Sequence, residues 1–481
     1  MALSTLRTVA SRLTLSGQVS SPLRSVLSSN WSRAKVIASA AATKNTTLVQ
    51  HRSKCTDCAK NCGHCNKLSA FKPAVRHAHA QTQPAINTAD EIASVARNTD
   101  KDWFEITWKD GFEGKYPYAW IRDNCRCDEC YYPSCHQRSM LMYNMDPNVK
   151  PVHEELKDGG RTFQIKWTDD HVSPIPAEWL KMHRFDKTDF DVVRKVKQVS
   201  WGSEFTDKIP SFDYKDIINE DQALYSWMES LVGRGLVIVR NAPHDEMNVQ
   251  NICDRVGYER FTCYGSDFRV ENIFESSSLG FTTAALGLHL DLPYYDYRPG
   301  VQFLNCLRQC EVKGGESQFV DAKRVAETLK KEEPEWYEYM TNVKLDFRLL
   351  GIDYIDSHLQ HARNLIELDE QGEFKTLAYN DQTRSPYMNV PVEEVNKIYQ
   401  ALKKFNEFLY RKENFIDYKL QPGEIIAFDN NRVMHGRSAY TVKYVDGEDH
   451  SRLLIGGFLD WDEIHSRMRL LDERMNGTPR L

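Results

Sequence analysis

The sequence predicts a mostly β protein with flanking helices: a small β-rich domain followed by a larger sandwich or jelly roll. Three observations carry this reading. Short alternating runs bounded by turn residues recur between positions 99 and 182, the signature of half-buried strands. Between positions 280 and 460 many short apolar runs are separated by turn residues, with few helical patterns among them. The 481 residues, 41% apolar and 27% charged, have an ordinary globular composition with room for a large core.

The first segment, 1–54, is rich in Ser, Arg, Leu and Ala and holds eight Lys and Arg but no acidic residue. Leu3, Leu6, Leu13 and Leu15 alternate with Arg7 and Arg12. An acid-free, Arg-rich amphipathic start reads as a mitochondrial transit peptide, with a cytoplasmic location as the alternative. The net charge of −6 therefore hides an acidic body, in which 54 basic face 68 acidic side chains, a net −14. Such a body excludes nucleic acid as the expected partner, since phosphate contacts need clustered Lys and Arg. No apolar run reaches the length of about 18 residues needed to span a membrane, so no membrane partner is expected.

Residues 55–98 read as a Cys-containing linker. Within it, Cys55, Cys58, Cys62 and Cys65 form two CxxC pairs around His64, a candidate metal cluster with no assigned catalytic role. Residues 99–182 read as the small β domain. Trp103–Trp108 alternates, Asp110-Gly111 turns, and a further run extends from Tyr116 to Ile121; Thr162–Trp167 alternates again before Asp169-Asp170. Cys125, Cys127 and Cys130 lie in one short loop of this domain. Zinc takes four tetrahedral N or S ligands, so a fourth must come from elsewhere, with Cys135, His136, His153 and His171 as candidates. Tightly clustered thiols of this kind point to metal in a reducing compartment rather than to disulfides.

The larger domain is expected over 195–481. Leu224, Trp227, Met228 and Leu231 share one helix face, Gly233 and Gly235 end that helix, and Leu236–Val239 follows as a buried strand. Val395, Ile398, Tyr399, Leu402, Phe405 and Leu409 mark a second helix. Pro422-Gly423 then turns into the strand 424–428, and residues 461–471 have helical spacing that would cover the core or join a dimer.

The catalytic signal is His289-Leu290-Asp291 with a distant His435. On a strand, His289 and Asp291 would face one side, and a second His from a neighbouring strand would complete two His and one carboxylate. That set suits non-haem Fe(II) and leaves coordination positions open. Arg452 heads into an apolar strand and needs an anionic partner, which a carboxylate supplies in a bidentate fork.

These residues resemble those of the γ-butyrobetaine and trimethyllysine dioxygenase family of Fe(II)/2-oxoglutarate oxygenases, over about residues 100–475. The zinc-type motif Trp120–Cys130 with Trp167–His171, the run Pro299–Cys306, Gly314-Gly315 with Val320-Asp321, Phe428–Asn430 and His435–Arg437 carry the resemblance together. It implies a double-stranded β-helix behind a zinc domain, with His289, Asp291 and His435 on iron, Arg452 on 2-oxoglutarate, and Cys125, Cys127, Cys130 and His171 on zinc. It further implies O₂ as oxidant, ascorbate as reductant, a homodimer and a small trimethylammonium substrate. The implied product of the nearer, γ-butyrobetaine branch is L-carnitine, with hydroxylation of trimethyllysine or of another betaine-like substrate as the alternatives. A quaternary ammonium is recognised by aromatic faces, and the corresponding positions are Tyr264, Phe268, Phe281 and Phe458. Here the chain departs from the butyrobetaine pattern. Phe replaces expected Trp and Tyr at 268, 281 and 458, Leu292 replaces a Tyr, and Ser278 replaces an Asn that would hold the substrate carboxylate, while Asn380 keeps the other such position. A non-catalytic zinc-domain scaffold is the rival from another class, and the complete set His289, Asp291, His435 and Arg452 argues against it.

Overall fold

The structure, a computed structural model, describes residues 88–185, 191–272, 279–310, 313–351, 356–442, 444–445, 448–449 and 452–477. The expected leader, the Cys55–Cys65 cluster and Ser278 lie outside these described residues.

The N-terminal part is built from two antiparallel three-stranded sheets. Strands β1 (Ile92–Asn98), β2 (Trp103–Trp108) and β3 (Glu113–Pro117) form one; β4 (Pro151–Lys157), β5 (Thr162–Trp167) and β6 (Val172–Pro176) form the other. Alternation explains why they pack. Phe104, Ile106 and Trp108 of β2 and Phe163, Ile165 and Trp167 of β5 are all buried, and they share one core. The Phe104 and Phe163 rings meet edge-on at 5.0 Å between centroids, a favoured aromatic geometry.

Two expectations change here. Strand β1 lies inside the segment read as linker. Four of its seven residues are exposed and it anchors mainly through Ile92, so its alternation is faint. The run expected from Tyr116 to Ile121 ends at Pro117, and Tyr118–Asp123 is a short helix, α1. Pro117 has no N–H to donate to a ladder, so pairing stops there.

The larger part contains strands β7 (Ser211–Asp213), β8 (Leu236–Arg240), β9 (Asp267–Val270), β10 (Leu286–His289), β11 (Val301–Arg308), β12 (Ser317–Asp321), β13 (Phe415–Tyr418), β14 (Ile425–Asp429), β15 (Val433–Arg437) and β16 (Leu453–Leu459). One sheet runs in the order β9-β16-β11-β14-β8-β7 and the other β10-β15-β12-β13, giving the expected double-stranded β-helix. Every pair is antiparallel except β7 with β8.

Both faces of the six-stranded sheet are buried, which is why β8, β14 and β16 read as continuous apolar runs rather than alternating ones. Leu236, Ile238, Leu304, Ile426, Phe428 and Leu454 face inward and meet Phe319, Ile416 and Val433 of the four-stranded sheet. Val237, Val239, Val301, Phe303, Ile425 and Ala427 face outward, under a layer of helices. Helix α2 (Asp221–Arg234) lays Leu224, Trp227, Met228 and Leu231 on that face and ends at Gly235, whose φ of 74° only glycine adopts freely. Helix α3 (Val392–Leu409) contributes Ile398, Leu402 and Phe405 to the other large core. Helix α4 (Trp461–Asn476) covers the outward face through Ile464, Met468 and Leu471, so its apolar stripe is used within the chain.

A buried ion pair ties the sheets to the N-terminal approach. Arg432 donates to both Asp321 carboxylate oxygens at 2.9 and 2.7 Å, and also to the Gly233 and Val199 carbonyls. Asp321 in turn accepts the Trp201 and Lys323 N–H groups. Every charge is thereby compensated, as burial demands.

Candidate active site

His289 closes strand β10 and lies directly opposite His435 on β15. The imidazole rings stand 4.2 Å apart. Asp291 is not on the strand as its spacing suggested. The strand stops at His289, and Leu292 turns with a φ of 60°, a left-handed value costly for a branched side chain. What holds Asp291 in place is Asn430. Its Oδ1 accepts the Asp291 N–H at 2.8 Å, and its Nδ2 donates to the Asp291 and Pro299 carbonyls. Leu290 N–H also donates to the Tyr379 carbonyl.

The result brings the three side chains together. His289 Nε2 lies 3.2 Å from one Asp291 oxygen, and His435 Nε2 lies 3.8 Å from the other. A carbonyl can only accept, so His289 Nδ1 carries the proton it donates to Gly287 O at 2.8 Å, leaving the Nε2 lone pair for a metal. Burial drives the His435 imidazole down to about 3, which keeps it neutral and able to ligate. Burial opposes the Asp291 charge, but the proximity of His289 and His435 outweighs it and holds the carboxyl below its usual range. Two imidazoles and one carboxylate on one side are a fitting donor set for Fe(II).

The triad opens into a cavity of about 140 Å³. Arg437, at the end of β15, and Arg452, just before β16, line it from the two facing sheets. Arg437 is held by the carbonyls of Gly280, Thr282 and Ala284. Arg452 is 4% exposed, its Nε has no hydrogen-bond partner, and among the described residues no carboxylate pairs with it. Burial, reinforced by the charge of Arg437, drives its guanidinium down to about 10. A buried cation that no carboxylate pairs with among the described residues, beside such a triad, is a docking point for an anion, and the fork geometry suits a carboxylate.

The remaining wall is aromatic. Tyr264, Phe268 and Phe281 line the cavity as expected positions, joined by Tyr294, Gln302 and Thr383, which sequence reading missed. Phe458 does not line it; the ring stacks behind Phe268 at 5.4 Å. Asn380 lines the cavity, but its amide is engaged with the Leu290 carbonyl and the N–H groups of Gln382 and Thr383.

A second cluster lies in the N-terminal part. Cys125, Cys127 and Cys130 converge on His171 Nε2 at 3.2, 3.5 and 3.5 Å, whereas Cys135 and His136 are exposed and outside the cluster. Burial pushes the Cys125 thiol up to about 12, so a thiolate there needs a bound cation to stabilise it. Three thiols and one imidazole are the donor set of a closed, structural zinc site.

The geometry agrees with comparison to known proteins. Residues 193–457 match the family model described as taurine catabolism dioxygenase TauD, TfdA family, and residues 95–181 match that of the γ-butyrobetaine hydroxylase-like N-terminal domain. Human (Homo sapiens) γ-butyrobetaine dioxygenase is 34% identical over 375 residues, covering 77% of this chain and 95% of the relative. The chain belongs to the TauD/TfdA dioxygenase family, in its γ-butyrobetaine and trimethyllysine dioxygenase group. As a member of this family it is an Fe(II)/2-oxoglutarate-dependent dioxygenase. Within the dioxygenase group it stands nearer the butyrobetaine branch. Trimethyllysine dioxygenase of Meyerozyma guilliermondii is 26% identical over 392 residues, covering 79% of this chain and 96% of the relative. The mitochondrial trimethyllysine dioxygenase of Bos taurus is 25% identical over 389 residues, covering 80% of this chain and 89% of the relative.

Proposed function

We propose that this dioxygenase hydroxylates γ-butyrobetaine to L-carnitine. The observation that carries the reading is the shared cavity, in which the His289–Asp291–His435 cluster, the buried guanidinium of Arg452 and an aromatic wall face the same space. His289 Nε2, His435 Nε2 and an Asp291 oxygen would hold the iron from one side. Iron, when bound, supplies the redox centre at which O₂ is activated while 2-oxoglutarate is decarboxylated to succinate.

The chain's own residues do the rest. Arg452 forks a carboxylate of 2-oxoglutarate and gains the counter-charge it lacks. Asn430 fixes the Asp291 backbone, and Gly287 keeps the His289 proton on Nδ1. Tyr264, Phe268 and Phe281 offer π faces to the trimethylammonium group, with Phe458 backing Phe268. Leu292, Leu304 and Leu454 exclude water from the reacting C–H, which must sit close to the metal for transfer to compete. Cys125, Cys127, Cys130 and His171 would hold a structural zinc that braces the N-terminal part.

The test is succinate formation by the full chain with Fe(II), ascorbate and 2-oxoglutarate, adding γ-butyrobetaine or trimethyllysine in parallel. Stimulation by γ-butyrobetaine, with one oxygen added to the product by mass, is the expected result. Stimulation by trimethyllysine alone would overturn it in favour of the second reading, which the acid-free N-terminus and the mitochondrial relatives favour. Mitochondrial import of a chain carrying residues 1–54, abolished by removing them, tests the location. Sedimentation of the purified protein tests the homodimer, which rests on the family resemblance.

A further inference from the structure

We propose that Tyr294 is a specificity-determining residue of this site, supplying an aromatic face that selects the cationic end of the substrate. The inference rests on the trimethylammonium reading above and assigns part of that recognition to a residue outside the expected set.

The placement of Tyr294 is built, not incidental. Immediately after Asp291 the chain enters a turn in which Tyr295 N–H donates to the Leu292 carbonyl at 3.1 Å. Pro293 occupies the second position of this four-residue turn, where its fixed φ is favoured. Leu292 at φ 60° reverses the chain just before it. Asp291 and Tyr294 are therefore held at a set separation and both line the cavity.

The same turn is fastened to the segment that carries Tyr264. Tyr295 Oη accepts the Cys263 N–H at 2.8 Å, and the Tyr264 and Tyr294 hydroxyls approach to 3.5 Å. The Tyr264 and Phe268 rings lie 5.8 Å apart. Phe268 and Tyr264 pack ring against ring and Tyr294 joins them through its hydroxyl, an aromatic row lining the same cavity as the triad. Tyr294 is 3% exposed, so its ring acts in a desolvated setting where cation–π attraction is strongest. Arg437 and Arg452 line the same cavity and repel a cation, so its favourable positions lie against the aromatic row and Asp291.

The experiment measures binding rather than turnover. Calorimetry on the wild type, Tyr294→Leu and Tyr294→Phe proteins, each with Mn(II) and 2-oxoglutarate under anaerobic conditions, compares γ-butyrobetaine with the isosteric carboxylate whose head is an uncharged quaternary carbon in place of nitrogen. Wild type is expected to prefer the ammonium. Tyr294→Leu should lose about tenfold of that preference, and Tyr294→Phe should retain it because the ring face remains. Equal weakening of both ligands in Tyr294→Leu, or an unchanged preference, overturns the assignment. Loss of the preference in Tyr294→Phe also overturns it, since the hydroxyl rather than the ring would then be selecting. A wild type without preference for the ammonium overturns the trimethylammonium reading itself, and this inference with it.

Discussion

Replacing Arg452 with Met should make the ligand-free protein more stable while removing its grip on 2-oxoglutarate. The magnitude follows from the site. The guanidinium falls from 12.5 to about 10, and each pH unit corresponds to about 1.4 kcal/mol, so carrying the charge costs the folded state about 3 kcal/mol. The folded value lies below the unfolded one, and below about pH 10 both states are protonated. The cost is therefore constant across neutral pH and is relieved only as pH rises from about 10 towards 12.5. Methionine keeps an unbranched stem and adds no charge. Urea unfolding at pH 7 without 2-oxoglutarate should show a gain of about 1–3 kcal/mol for Arg452→Met, and added 2-oxoglutarate should leave the variant's own stability unchanged. Wild type should be stabilised by 2-oxoglutarate, because the ligand carboxylate removes the penalty. Two charge-assisted hydrogen bonds, each contributing about 1.5–3 kcal/mol, are lost in the variant, so its apparent KM for 2-oxoglutarate should rise at least about 100-fold. A variant less stable than wild type, or one with an unchanged KM, would refute the reasoning.

Three further outcomes are expected. Asp321→Ala leaves Arg432 as an uncompensated buried charge and should cost about 3–5 kcal/mol by urea unfolding; a loss below about 1 kcal/mol contradicts the buried-pair account. Burial, with the charges of Asp267 and Asp254, pushes the Glu259 carboxyl up from 4.5 to about 7, so its folded-state value is raised. Its contribution is favourable below about pH 4.5 and is lost as pH rises towards 7, so the advantage of Glu259→Gln in unfolding free energy should be near zero at pH 4 and about 1–3 kcal/mol at pH 8. Arg122 donates to Asp169 Oδ2 at 2.9 Å and reaches Cys130 Sγ at 3.7 Å, while Asp169 also accepts the His171 N–H. Arg122→Met should weaken zinc retention about 10–100-fold in competition with a colorimetric chelator, and retention equal to wild type would deny Arg122 that role.

The parts of this fold that were legible from sequence are those where one residue's chemistry or one periodicity decides. Helix α2 announced itself through Leu224, Trp227, Met228 and Leu231, and strands β2 and β5 through strict alternation. The triad was legible because His and Asp at that spacing, with a distant His and an Arg entering a strand, have few other uses together. Asp291 illustrates the limit. Its spacing suggested a strand, yet its position is set by a turn at Leu292 and by the Asn430 amide, a contact spanning 139 residues. An asparagine carries no periodic or chemical mark that reveals such a partner. Strand β1 escaped notice because it presents mostly exposed small and polar residues, and its pairing is supplied by β2. Tyr294 looked like one more aromatic residue among many until the Pro293 turn directed it into the cavity.

The two metal-type clusters differ in what must happen before they exist. Cys125 and His171 are 46 residues apart, and the intervening chain forms hairpins with local contacts, so this cluster closes a short loop. His289 and His435 meet only when strand β10 has paired with β15, after the chain has looped out through β11 to β14. Loop closure over long separations is slow, and topology governs folding rate. The iron-binding geometry consequently carries a larger loop-closure cost than the zinc-type cluster. A chain still being synthesised, or one stalled with its last strands unpaired, has no assembled triad and cannot activate O₂ beside its own exposed side chains. The long-range pairing of two histidines thus makes the site a property of the completed sheet rather than of any local segment.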